Sequence, residues 1–278
     1  MTRPSAAAAT VKTVLSEAAA RLEAAGCGTP RLDAELLLAE ILGTDRGGLV
    51  VDAGRELTAG QAEGFETLVV RREAREPVAY LLGRKEFRHL ELMVDARVLI
   101  PRPETELLVE AALDLPPGAR VIEVGTGSGA VALALKQERP DLRIVATDIS
   151  GEALEVARAN AQRHDLDVEL LEADLLEGAG GPYDAVLANV PYVDRLDYAI
   201  LDPEIGRHEP EVAIVAGDAG AAIIRRLVSQ LGETPYVALE VGLAQEERVA
   251  GMLSTAGYAT ETRRDLAGIE RVVIGRRR

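Results

Sequence analysis

Three glycines at alternate positions, Gly125, Gly127 and Gly129, are interleaved with Thr126 and Ser128. They close a mainly apolar stretch, Val121-Ile122-Glu123-Val124, and open an apolar-periodic stretch at Ala130. In a strand, turn and helix of this kind a ligand can approach the main chain closely, because glycine adopts backbone conformations closed to other residues. A cofactor is expected there, beyond the carboxyl ends of the strands. Three carboxylates are placed to serve it. Glu123, two residues before the first glycine, can face a ligand's ammonium group. Asp148 closes the next strand and can accept hydrogen bonds from ribose hydroxyls. Asp174 follows the third strand, near an adenine amino group if adenosine fills the cleft. The triple suits a nucleoside that bears an amino acid, but it does not select one. Gly125, Gly127 and Ala130 also satisfy the dinucleotide pattern G-x-G-x-x-G/A, with Asp148 near its expected offset. NAD or FAD, or a purely structural turn, therefore stays open on the loop alone, as does a structural role for Glu123 and Asp174.

A second constellation follows the apolar stretch Ala185 to Ala188: Asn189-Val190-Pro191-Tyr192. It resembles the (Asn/Asp/Ser)-Pro-Pro-(Tyr/Phe/Trp) motif of methyltransferases that act on planar nitrogens. An amide or exocyclic amino nitrogen is a poor nucleophile, because its lone pair is delocalised. Two acceptors holding its N–H bonds, the Asn189 side-chain oxygen and a backbone carbonyl, would orient the nitrogen and help carry away developing charge. Tyr192 would stack on the planar group. Asn-x-Pro also opens ordinary turns, and an isolated Tyr reads as a core aromatic. The position downstream of a cofactor loop gives the tetrad its weight, and hydride transfer has no need of it.

Such residues need a sheet to hold them. Short apolar strands at Arg120 to Val124, Arg143 to Thr147, Val168 to Glu172, Ala185 to Ala188 and Tyr236 to Val241 alternate with helices at Val131 to Gln137, Gly151 to His164 and Ala219 to Leu231. This predicts an α/β fold, a doubly wound and mostly parallel sheet covered on both faces. Two more strands, Tyr258 to Arg263 and Arg271 to Ile274, are joined directly by a turn. They predict a terminal hairpin that inserts one antiparallel strand. From Thr10 to about Leu82 apolar residues recur at helical spacing, with Thr58 as N-cap of a helix from Ala59 to Arg75. The alanine-rich start, Met1 to Ala20, reads as a first amphipathic helix rather than a targeting peptide. Between the two regions, Phe87 to Met93 and Val94 to Ile100 read as a hairpin.

The 31 basic and 46 acidic residues give a net charge of −15, which disfavours long-range attraction to nucleic acid or anionic membrane. One cysteine, Cys27, excludes an intramolecular disulfide. Three scattered histidines predict no metal site. No stretch has the ~18 uninterrupted apolar residues of a membrane span, so a cytoplasmic protein is expected.

The segment Val98-Leu99-Ile100-Pro101-Arg102-Pro103-Glu104-Thr105-Glu106-Leu107-Leu108-Val109, with Gly125 to Ala130 and a closing stretch Arg264 to Gly268, is similar to the HemK/PrmC family. That family comprises protein-(glutamine-N5) methyltransferases of class 1 peptide chain release factors. The resemblance covers nearly the whole chain, and Pro101 to Glu106 is its most specific part. It implies a class I, Rossmann-like methyltransferase domain with a seven-stranded sheet over residues 101–278. It further implies a helical substrate-recognition domain over 1–84 and a β-hairpin linker over 85–100. The implied cofactor is S-adenosyl-L-methionine, leaving as S-adenosyl-L-homocysteine, with no metal. The glycine segment, Asp148 and Leu175 would bind it, and Asn189 to Tyr192 would hold the glutamine of a Gly-Gly-Gln loop. Direct nucleic-acid and membrane partners are not implied.

The sequence departs from the family at two places. Val190 replaces the first proline of the tetrad, keeping the backbone carbonyl at some loss of rigidity. Leu175 stands where an aromatic against adenine is expected. The competing readings are an adenine-N6 methyltransferase on DNA or RNA, disfavoured by charge and by 3% aromatic content, and a non-catalytic cofactor-binding protein.

Overall fold

A computed structural model describes residues 10–278, so the first nine residues of the expected amphipathic helix lie outside the described part. The described residues open with five helices, α1 Val11–Ala24, α2 Pro30–Leu42, α3 Arg46–Val51, α4 Ala59–Glu73 and α5 Val78–Leu82. Thr58 caps α4 through a reciprocal capping box with Gln61, which satisfies two of the helix's free amide donors. The helix stops at Glu73, two residues before Arg75, whose φ of 71° is left-handed.

Strands β1 Arg84–Phe87 and β2 Leu90–Met93 form an antiparallel hairpin. The expected second strand at residues 94–100 is not one; β2 lies within the first predicted segment, and β1 starts before it, at Arg84. After a 3-10 turn at Pro103–Thr105 come α6 Glu106–Ala112, β3 Arg120–Val124, α7 Ala130–Glu138, β4 Arg143–Asp148, α8 Gly151–Arg163, β5 Glu169–Glu172 and β6 Ala185–Ala188. Then follow α9 Arg195–Tyr198, α10 Pro203–His208, α11 Gly217–Gly220, α12 Ala222–Gln230, β7 Tyr236–Glu240, α13 Glu246–Thr255, β8 Tyr258–Arg264 and β9 Glu270–Arg277. The predicted single helix from Ala219 is broken, because Gly220 has φ 78° and α12 starts beyond it. Helix α13 fills a span the sequence reading left unassigned.

The seven-stranded sheet has the order β5-β4-β3-β6-β7-β9-β8. Strands β3 to β7 run parallel, and β9 is antiparallel to both neighbours. The terminal hairpin thus inserts its second strand, as predicted. Sheet residues alternate between two cores. Val121, Leu187 and Ala238 join α6 and α7 on one face, while Ile122, Val186 and Val237 join α12 and α13 on the other. Winding reverses between β3 and β6, so the carboxyl ends of these two strands flank the switch-point crevice where open α/β sheets bind ligands.

The chain divides into two compact units: the described residues up to Gly83 together with Pro203–His208, and all the rest. The first has its own core, centred on Leu15, Leu22, Leu37, Leu38, Phe65 and Val69. It also holds a buried ion-pair cluster in which Arg72 meets Asp33 at 2.8 Å and Glu204 of α10 at 2.7 Å, while Arg75 meets Glu204 at 2.5 Å. Burial opposes ionisation of Glu204, but hydrogen bonds from Arg75 and Arg72 outweigh it and bring its pKa to about 2.

Candidate active site

Where β3 ends, the main chain folds back on β4. The amides of Gly125 and Thr126 both donate to the Thr147 carbonyl at 2.9 Å, and Gly129 N–H donates to Thr126 O at 2.8 Å. Gly125, Gly127 and Gly129 all have positive φ (75°, 55° and 86°), a region costly for side-chain-bearing residues. A Cβ on Gly127 would meet nothing within 4 Å. Conformation and ligand access are therefore the reasons for glycine there. Gly129 differs. A Cβ on it would meet Leu133 at 2.9 Å and Ala157 at 3.4 Å, and it lines neither this loop's cleft nor the recess beneath it. Close packing against α7 and α8 is thus a further reason for glycine at 129.

A cleft opens over the glycine loop, at the crevice where open α/β sheets bind ligands. Gly125, Gly127, Asp148, Asp174, Leu175, Asn189, Val190 and Pro191 line it together. Asp148 is held rigidly, its Oδ2 accepting from Gly127 N–H at 2.8 Å and its Oδ1 from Ser150 N–H at 3.0 Å. Burial raises its pKa against the pull of these amides. Leu175 is buried with φ 59°, and its carbonyl accepts from the Thr147 hydroxyl at 3.2 Å. Asp174, half-exposed, pairs with Arg226 at 2.8 Å, so its carboxylate enters the cleft already engaged.

Glu123 sits lower, in a recess shared with Thr126, Ser128 and Asn189. Its Oε2 accepts from the Thr126 hydroxyl at 2.6 Å and from Ala132 N–H at 2.9 Å. Burial, partly offset by these two bonds, pushes its pKa up to about 8. Ser128, also buried, gives its carbonyl to Asn160 Nδ2 at 2.9 Å. The same Asn160 bonds both backbone groups of Met93, so one buried amide ties the β1–β2 hairpin to the loop.

On the far side of the switch point, Asn189 Nδ2 donates to the Thr105 hydroxyl at 3.1 Å. Its Oδ1 and the Val190 carbonyl make no hydrogen bond among the described residues. Val190 is buried, its side chain packed beneath Gly125. Tyr192 lines neither cavity. Its ring packs against Gly242, its carbonyl accepts from Gln245 at 2.9 Å, and its hydroxyl donates to Glu240 Oε1 at 3.4 Å. Burial and Glu240 hold the phenol protonated.

Arg97, Ile149, Pro210, Val212 and Arg226, none of them in a recognisable motif, also line the cleft. They come from the loop before α6, from the residue after Asp148, from the loop after α10 and from α12. Only the fold brings them together. Nor is a site role for Thr105 or Glu240 legible in the sequence, although Glu240 ends an apolar strand just as Asp148 does. The Pro101 to Glu106 segment is pinned by Glu209, whose buried carboxylate accepts from Ile100 N–H at 3.1 Å and pairs with Arg102 at 2.5 Å.

Comparison with known proteins matches residues 13–83 to the PrmC N-terminal domain and residues 103–202 to the methyltransferase small domain. A release factor glutamine methyltransferase of Deinococcus radiodurans is 40% identical, over 96% of this chain and 98% of that one. One of Escherichia coli is 38% identical, over 94% and 97%. Among solved structures, a methyltransferase from Pyrococcus furiosus superposes with a TM-score of 0.51 at 18% identity, covering 76% of this chain and 96% of that one. This last likeness concerns the fold alone.

Proposed function

The chain belongs to the release factor glutamine methyltransferase family, and from that premise we propose how its crevice divides the work of methylating a release-factor glutamine. It is an S-adenosylmethionine-dependent enzyme, and the glycine segment, Asp148, Asp174 and Leu175 form the cofactor side. Asp148 would take the ribose hydroxyls, Leu175 would pack on the adenine, and Glu123 would meet the ammonium end. The residues present fit such a ligand: an apolar wall, acids fixed by backbone amides, and a glycine loop open to close approach. Bound there, S-adenosylmethionine supplies a sulfonium methyl group electrophilic enough for a weak nitrogen nucleophile, and it leaves as S-adenosylhomocysteine, with no metal required.

The substrate side is Asn189 to Tyr192. The observation that carries the reading is the polarity of Asn189, whose amino group is spent on Thr105 and whose oxygen is left free beside the cleft. Asn189 Oδ1 and the Val190 carbonyl would accept the two N–H bonds of the glutamine side-chain amide and point its nitrogen at the cofactor. As the nitrogen gains positive charge, both acceptors strengthen their hold. The acceptor would be the glutamine of the Gly-Gly-Gln motif of class 1 release factors, recognised with help from the helical unit. No direct nucleic-acid or membrane partner is assigned. No helix among the described residues is long and apolar enough to cross a membrane, and the reading places the protein in the cytoplasm with its substrate.

Labelled cofactor offered with purified release factor and, separately, with duplex DNA tests the reading. Label should enter the release factor at its glutamine. Label in DNA alone would point to an adenine methyltransferase, and label in neither to a binding protein. Asn189→Ala should leave cofactor affinity nearly intact and sharply reduce turnover.

A further inference from the structure

Glu240 ends β7 and is 2% exposed. Its Oε2 is buried without a hydrogen-bond partner among the described residues. Such an atom is costly to keep unless something uses it. Tyr192 O–H donates to the other Glu240 oxygen, Oε1, at 3.4 Å, while the Thr105 hydroxyl, which accepts from Asn189 Nδ2 at 3.1 Å, is a neighbour that favours the ionised carboxylate and has Oε2 as an open acceptor for its proton.

A hydroxyl has one proton to give. If Thr105 gives it to Glu240, its oxygen can only accept from Asn189, and the Asn189 amide must turn its NH2 toward Thr105 and its oxygen toward the crevice. If Glu240 ceases to accept, Thr105 is free to donate to Asn189 Oδ1 instead. The amide then flips and presents hydrogens, the wrong polarity for holding an NH2 group. We propose that Thr105 and Glu240 form a positioning relay that fixes the polarity of the Asn189 side-chain amide, and that this is the task of the threonine in the Pro101 to Glu106 segment. The inference rests on the role assigned to Asn189 above.

The relay makes the proton on Glu240 matter. Burial raises its pKa to about 7, with Thr105 and Tyr192 pulling the other way. The other charged groups facing it are Glu104, which favours the proton, and Arg271, which opposes it. Above that pH the ionised carboxylate accepts from Thr105; below it, the protonated acid can donate to Thr105 and release the amide.

Turnover of the full chain on release factor, at saturating cofactor, tests the relay. Thr105→Val, which removes only the hydroxyl function, should lower kcat by about tenfold to a hundredfold with cofactor affinity unchanged. Thr105→Ser should stay near wild type. In cofactor-free protein, nitrogen-15 NMR should show the Asn189 side-chain amide hydrogen-bonded in wild type and Thr105→Ser, but not in Thr105→Val. The fall in wild-type activity below about pH 7 should be absent from Glu240→Gln, which cannot ionise. A wild-type kcat in Thr105→Val, equal losses in the Val and Ser variants, or an acid limb persisting in Glu240→Gln would overturn the relay. An unimpaired Asn189→Ala would instead remove the underlying assignment of Asn189.

Discussion

If Glu123 meets the ammonium group of the cofactor, binding must expel a proton. With its pKa pushed up to about 8 by burial, roughly 97% of Glu123 is neutral at about pH 6.5. Ionising it there costs about 2 kcal/mol, which attraction to the ammonium group must exceed for the pair to form. A nearby cation restores a carboxyl toward or below its ordinary value, so close to one proton should leave per cofactor bound. The ligand's own amino group, with an ordinary pKa of about 8, is already charged at that pH and takes up almost nothing. Affinity should then rise roughly tenfold per pH unit until Glu123 ionises unaided near pH 8. Calorimetry in phosphate and in Bis-Tris, whose ionisation heats differ, counts the protons directly. Asp148 also has a raised pKa, so the comparison with Glu123→Gln isolates the Glu123 contribution. Equal heats in the two buffers, or undiminished release in Glu123→Gln, would refute the contact.

Asp148→Ala should weaken cofactor affinity at least tenfold by losing the ribose contacts, and unaltered affinity by calorimetry would remove that assignment. In Gly220→Ala the new Cβ would lie 2.1 Å from the Tyr192 carbonyl, at a φ of 78°. The tetrad should shift and turnover fall severalfold or more while cofactor affinity holds; full turnover would show the loop yields freely. Val190→Pro should keep turnover within about threefold, because only the carbonyl is asked to act, and its abolition would mean that the valine side chain beneath Gly125 is required. Glu204 adds stability at neutral pH because its pKa falls from 4.5 to about 2 in the folded chain, at most about 3 kcal/mol. That contribution is present above pH 4.5 and fades as pH drops toward 2. Urea unfolding should therefore show Glu204→Gln less stable than wild type at pH 7, with the gap narrowing at pH 3; a gap unchanged with pH would count against the ion pairs.

Strands β3 and β6 were legible to the residue, because a buried parallel strand is a mainly apolar run with a turn at its end, broken in β3 only by Glu123. The antiparallel β9 was legible because no helix pattern separates it from β8. The hairpin was misdrawn: Val94, Val98 and Ile100 are buried and alternate like a strand, yet they pack without a ladder, and periodicity reports burial rather than pairing. Asp148, Asn189 and the glycines could be found because each terminates a strand. Arg226 and Val212 could not, since they reach the cleft from α12 and from the loop after α10, elements whose approach depends on packing. The polarity of Asn189 is a further step removed, being set by a hydroxyl 84 positions earlier in the chain.

The first unit is not contiguous in sequence: Glu204, which bridges Arg72 and Arg75, arrives from α10, 129 positions beyond Arg75. A chimera that exchanges the helical region between relatives by splicing at residue 83 would carry two arginines without their shared acid and leave the recipient's acid facing a foreign surface. Exchangeable parts here follow the fold rather than the reading order. A working swap needs a second, six-residue graft at Pro203–His208, and selection on relatives would be expected to move the two pieces together.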